Sequence, residues 1–210
     1  MFEGFPDAAL DFYDDLELDN TKSFWESHKH VYDQSVRQPM LALTADLAEE
    51  FGQAKVFRPY RDVRFAKDKT PYKNHQGAFV AVGPRTGWYV EIGSPGVRVG
   101  GGFYYAEGPD LARIRDAIDT EHSGQELERI VDGLQADGFE IRGEQLKTTP
   151  RGFPADHPRI DLLRYKSLSL GRSYGFEKLD TPDLGGQVRD DWRRLRPLVE
   201  WVRDRLDLLG

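Results

Sequence analysis

The apolar period of this chain changes near residue 52, and that change limits what it can fold into. Before Gly52 the apolar residues keep helical spacing. Ala9, Phe12, Tyr13 and Leu16 recur at i, i+3, i+4, i+7 after Pro6-Asp7, which predicts a helix ending near Leu18. Asn20 reads as the N-cap of a second helix carrying Phe24, Trp25, His28, Val31 and Tyr32. Pro39 is expected to break that helix and open a third, with Met40, Leu43, Leu47 and Phe51 in register and Gly52 as the stop. His28 and His30 are two apart, so they face different sides of a helix and form no metal pair there.

Beyond Gly52 short alternating runs take over. Gly77–Val82, Trp88–Ile92 and Val97–Val99 are separated by Gly-Pro turn clusters, the pattern of an antiparallel meander. Gly100-Gly101-Gly102 lacks the Gly-Lys-Ser/Thr ending of a phosphate loop and reads as a bulge or a close backbone approach. Helical spacing returns over 109–118 and 124–137. Residues 139–147 read as a hairpin around Gly143-Glu144, 161–167 as a helix and 169–176 as a strand. The run Val188–Leu209 reads as a long helix that Pro197 kinks or divides. The fold class expected is α+β: N-terminal helices, a central, mostly antiparallel sheet, and further helices including a long C-terminal one.

Composition narrows the chemistry. There is no cysteine, which excludes disulfides, thiolate catalysis and Cys-ligated zinc. No run approaches the roughly 18–20 apolar residues of a membrane span, and no signal peptide is visible, so a cytoplasmic protein is expected, with no membrane partner. The net charge is −7, yet residues 57–75 hold Arg58, Arg61, Arg64, Lys67, Lys69 and Lys73 against Asp62 and Asp68. Val63 and Phe65 alternate with these charges and predict a strand from about Tyr60, followed by a loop over 67–73. A second basic segment, 147–166, contains Lys147, Arg151, Arg159, Arg164 and Lys166 with Asp156, His157 and Asp161. Two positive segments in an acidic chain suggest a site for oxygen anions.

These residues also carry a resemblance. The run Arg61-Asp62-Val63-Arg64-Phe65 through Lys67-Asp68-Lys69-Thr70-Pro71-Tyr72-Lys73 resembles the hallmark of the family catalogued as domain of unknown function 2461. Asn20, Phe24-Trp25, Lys29, Tyr32, Gly101-Gly102 and Pro150-Arg151-Gly152-Phe153 with His157-Pro158 are similar to it as well. The resemblance spans nearly the whole chain. It implies one domain over 1–210, with residues 1–52 as a helical part packed on the sheet, and it implies no particular activity or cofactor.

The leading expectation is an anionic small molecule, bearing phosphate or carboxylate, bound by Arg61, Arg64, Lys69, Lys73, Arg151 and Arg164. Asp62, Asp68, Tyr72 and His157 would support them. No catalytic residue is assigned: Asp62, Asp68, Tyr72, His75, Glu91 and His157 are the acid–base candidates, and no serine triad, HExxH or EF-hand pattern is present. No metal site is expected, since no residues show ligand spacing. One alternative is that both segments form internal salt bridges in a structural or protein-interaction domain. Another is nucleic-acid binding through the basic residues and Tyr60, Phe65, Tyr72, Phe103, Tyr104 and Tyr105, which the acidic net charge opposes.

Overall fold

The helical spacing of the first fifty residues becomes three helical segments. The computed structural model describes residues 1–106, 108–176 and 179–206. Helix α1, Ala8–Leu18, buries Ala9, Phe12, Tyr13 and Leu16, the four residues set by its period. Helix α2, Lys22–Val31, starts from Thr21, whose hydroxyl accepts the Phe24 N–H at 3.2 Å. The cap is therefore Thr21 and not Asn20. Pro39 stands in the first turn of the third helix, as expected, but no break precedes it. The chain passes from α2 through a π-helical turn, Tyr32–Arg37, straight into α3, Gln38–Phe51. Proline brings no N–H to the preceding turn, and the wider turn absorbs the mismatch: Gln38 N–H reaches back five residues to Asp33.

The sheet has six strands: β1 (Lys55–Val56), β2 (His75–Gly83), β3 (Thr86–Gly93), β4 (Gly96–Phe103), β5 (Glu140–Arg142) and β6 (Leu168–Ser173). Their order is β1-β2-β3-β4-β6-β5, and the sheet is antiparallel. The meander is β2–β4. With helices before and after it, the protein is α+β. The predicted 139–147 hairpin does not form. β5 pairs instead with β6, Ile141 opposite Leu170, and Gln145 bridges to Tyr165.

Two compact units are present. The first comprises Met1–Val80, Tyr89–Val99 and Ser173–Asp190; the second comprises Ala81–Trp88, Gly100–Arg172 and Asp191–Gly210. In the first, Trp25 is 3% exposed and stacks on Tyr72, with ring centroids 4.2 Å apart and planes 7° apart. Phe12 meets the same indole edge-on at 5.8 Å. Such pairs add about 0.5–1.5 kcal/mol beyond their burial.

The second unit contains α4 (Pro109–Asp119), α5 (Glu121–Ala136), the short α6 (Ile160–Leu163) and the C-terminal part of α7 (Asp183–Leu206). Pro197 lies inside α7, which nevertheless runs on as one helix. Trp192, Leu195, Leu198, Val199 and Val202 are buried on both sides of that proline. Each contributes about 1.5–3 kcal/mol on burial, which outweighs the ~3 kcal/mol cost of one proline. The predicted end at Leu209 lies outside the described residues. In β4, Gly102 has φ +134°, and a Cβ there would stand 2.4 Å from the Leu168 carbonyl oxygen. The glycine run thus lets backbones approach closely. Among the described residues no helix is long and apolar enough to cross a membrane.

Candidate functional site

The charged stretch after β1 is a loop pinned at both ends. Tyr60 and Tyr72 form an isolated antiparallel bridge. Arg61 N–H donates to Pro71 O and Lys73 N–H to Pro59 O, each at 2.8 Å. Residues 61–71 form no strand, so the strand expected from about Tyr60 is absent while the loop expected after it is present. The Asp68 carboxylate accepts the Thr70 N–H at 2.9 Å, and that of Asp62 accepts the Arg64 N–H at 3.3 Å. These side chains turn the backbone locally and leave the alternating residues without a strand to pair with. Phe65 is 96% exposed.

The loop also engages most of its own charge. Arg61 donates to Asp68 and, at 2.6 Å, to the Thr70 hydroxyl. Arg64 grips Asp62 with two donors at 3.0 and 2.7 Å. Lys69 Nζ donates to Val63 O at 2.9 Å. The Arg64 hydrogen bond is the main cause holding the Asp62 carboxyl below the usual range; for Asp68 it is the Thr70 N–H. These groups are exposed, so their pairs add little to stability. Three of the expected anion binders, Arg61, Arg64 and Lys69, are thus bonded within their own loop.

Other cations gather beside it. Arg58, Lys29 and Arg37 line a cleft of about 410 Å³ together with Asp33 and the rings of Trp25, Tyr32, Phe57 and Tyr60. Lys29, Asp33 and Arg37 follow one another at intervals of four along α2 and the π-helical turn, so they share a face. Residues 57–60 follow β1. Gln76, 1% exposed, ties the two walls together. Its amide accepts the Tyr32 hydroxyl and donates to Phe57 O at 2.8 Å. Burial pushes the Tyr32 phenol up to about 12. Lys73 stands 5.4 Å from the Phe57 ring centre, and burial, then Arg58, pulls its pKa down. Among the described residues Lys29, Arg37, Arg58 and Lys73 join no ion pair. The Trp25 Nε1–H is buried and likewise without a hydrogen-bond partner.

A second recess in the same unit, about 300 Å³, contains His75, Glu91, Arg98, Asn74 and Glu17. Glu91 accepts from Arg98 at 2.6 Å and from the Tyr89 hydroxyl, and lies 3.7 Å from His75 Nε2. Burial lowers the His75 pKa; Lys73, Arg98 and Arg61 add to the effect and Glu91 opposes it.

The second basic segment belongs to the other unit, and there its charge is also largely paired. Arg159, 4% exposed at its side chain, bonds Ile118 O at 2.7 Å and meets Glu121 at 3.0 Å and Glu128 at 3.6 Å. His157 Nε2 contacts Asp119 at 3.0 Å, while its Nδ1 accepts the Arg159 N–H. Arg164 pairs with Asp161 at 3.7 Å, and Lys166 pairs with Glu144. Arg151 is exposed on a turn.

None of the residues lining the cleft, Trp25, Lys29, Asp33, Arg37 and Arg58 among them, was in the expected anion set, although Arg58 lay in the first basic segment. The signal in the sequence was the four-residue spacing of Lys29, Asp33 and Arg37. Among the described residues no group of three or more His, Asp or Glu side chains is arranged to hold a metal ion.

Comparison with curated proteins gives no match. A family model described as conserved hypothetical protein, DUF2461, matches residues 8–201 and so includes the whole Arg61–Lys73 run and the cleft. The chain belongs to the DUF2461 family.

Proposed function

We propose that the first unit binds a phosphate- or carboxylate-bearing small molecule in the cleft beside β1. Lys29, Arg37 and Arg58 hold the anion, and Lys73 adds positive charge next to Arg58. One observation carries this reading: four cations stand close to one cleft without a carboxylate partner, in a chain whose net charge is −7. Clustered like charges repel, and an oxygen anion offsets that repulsion with charge-assisted hydrogen bonds. The 61–71 loop then acts as scaffold. Its pairs, Arg61 with Asp68 and Arg64 with Asp62, favour internal salt bridging for those two arginines over ligand contact.

Calorimetric titration with ribose 5-phosphate at low salt tests the reading. Arg58→Ala and Lys29→Ala each weaken binding about tenfold, the value of one charge-assisted contact. Arg64→Ala leaves it unchanged. Equal loss in Arg64→Ala and Arg58→Ala assigns the anion to the loop instead. No binding of ribose 5-phosphate or of a carboxylate such as citrate at millimolar concentration sinks the proposal.

A further inference from the structure

We infer that the molecule in this cleft carries a planar, amino-bearing aromatic ring as well as its anion, the chemistry of a nucleoside phosphate; the inference rests on the anion reading above. Asp33 is the first observation. Asp33 lines the cleft with Lys29, Arg37 and Arg58, yet its carboxylate joins no ion pair among the described residues. In a site for a bare anion it works against binding. It suits a ligand that also brings N–H donors, because an ionised carboxylate only accepts.

Tyr60 is the second. The residue is 47% exposed, and its ring lies 6.0 Å from that of Trp25, centre to centre. The Tyr60–Tyr72 bridge restrains its backbone. A half-exposed ring on a held backbone offers a stacking face, and heteroaromatic bases stack on such rings with little regard to sequence. Trp25 is the third. The residue is 3% exposed, and its Nε1–H has no partner. A buried donor of this kind calls for an acceptor, which a ring nitrogen, a carbonyl or a phosphate oxygen supplies. The cleft, at about 410 Å³, falls within the roughly 300–1,000 Å³ of small-molecule sites.

The test compares adenosine 5′-monophosphate with ribose 5-phosphate, by calorimetry, on the full chain and on the Tyr60→Ala and Asp33→Asn variants. The nucleotide binds about tenfold tighter than the sugar phosphate, and Tyr60→Ala removes most of that advantage while leaving ribose 5-phosphate within about twofold. Asp33→Asn moves the two ligands in opposite directions. Ribose 5-phosphate tightens as a like charge disappears, and the nucleotide weakens as its charged acceptor is lost. Thermal unfolding midpoints check that both variants fold. Equal affinity for the two ligands overturns the ring inference and leaves the anion reading standing. Both ligands tightening together in Asp33→Asn also overturns it. Failure of both to bind the wild-type chain overturns the anion reading itself.

Discussion

The side-chain amide of Asn20 bonds the backbone of Tyr72 in both directions. Its Nδ2–H donates to Tyr72 O, and its Oδ1 accepts the Tyr72 N–H, each at 3.1 Å. The amide takes the place of a neighbouring strand where the loop returns toward β2. Tyr72 in turn supports Trp25, so one asparagine before α2 fixes the floor of the cleft. Asn20→Ala removes two hydrogen bonds from part-buried backbone groups. It is expected to lower stability by about 1–3 kcal/mol in urea unfolding. Asn20→Asp keeps only the acceptor and should fall between wild type and Asn20→Ala.

Gln76 couples the cleft walls. It bonds the Tyr32 hydroxyl, Phe57 O and Gly77 O from a position 1% exposed. Gln76→Leu replaces the amide with an apolar side chain of comparable bulk and orphans the phenol and the Phe57 carbonyl. A loss of about 2–4 kcal/mol follows from two buried groups left unsatisfied. Denaturant unfolding measures it, and a loss below 0.5 kcal/mol, roughly the level of an ordinary surface substitution, contradicts the coupling.

His75 sets a pH dependence. Its pKa in the folded chain lies below the ordinary 6.5, first because burial disfavours the imidazolium and then because of Lys73, Arg98 and Arg61. The unfolded chain therefore binds the proton more readily. This contribution to stability is present above about pH 6.5 and is lost as pH falls through the lower folded value. His75→Asn flattens that part of the stability curve. Glu91→Gln removes the one opposing charge and drives the imidazole titration lower still, as read by NMR. An imidazole titrating above 6.5 in the wild-type chain contradicts this account.

The helices and the meander were legible because local period decides them: α1 buries the four residues its spacing named, and β2–β4 follow the alternating runs. The loop over 67–73 was legible too, but the strand expected from Tyr60 does not form, because Val63 and Phe65 alternate like a strand while Asp62 and Asp68 bond backbone N–H groups two residues on. Asn20 was misread for a related reason. A residue fit to cap a helix is also fit to bond any exposed backbone, and Tyr72 is 52 positions away. Pro39 opens the third helix as read, but a π-helical turn joins that helix to the one before it without a break, and Pro197 does not divide α7, whose packing carries the helix past it. The candidate site was half legible. The sequence drew attention to the region of Arg58 and Lys73. Charge counting gave equal weight to Arg61 and Arg64, whose partners are their own neighbours. Lys29 and Arg37 reach the cleft through the fold, at a distance no window of charge reveals.

The most direct test is an NMR titration of the four tryptophan indole N–H signals with ribose 5-phosphate. Trp88 Nε1–H already donates to Trp192 O at 3.1 Å, and Trp201 Nε1–H to Ser123 O at 3.2 Å. Trp25 Nε1–H has no such partner. The account predicts that the Trp25 signal moves downfield in a saturable manner while those of Trp88 and Trp201 stay in place, and that Arg58→Ala weakens the response. A Trp25 signal that does not move at saturating ligand, or one that moves equally in Arg58→Ala, contradicts the assignment of this cleft as the anion site.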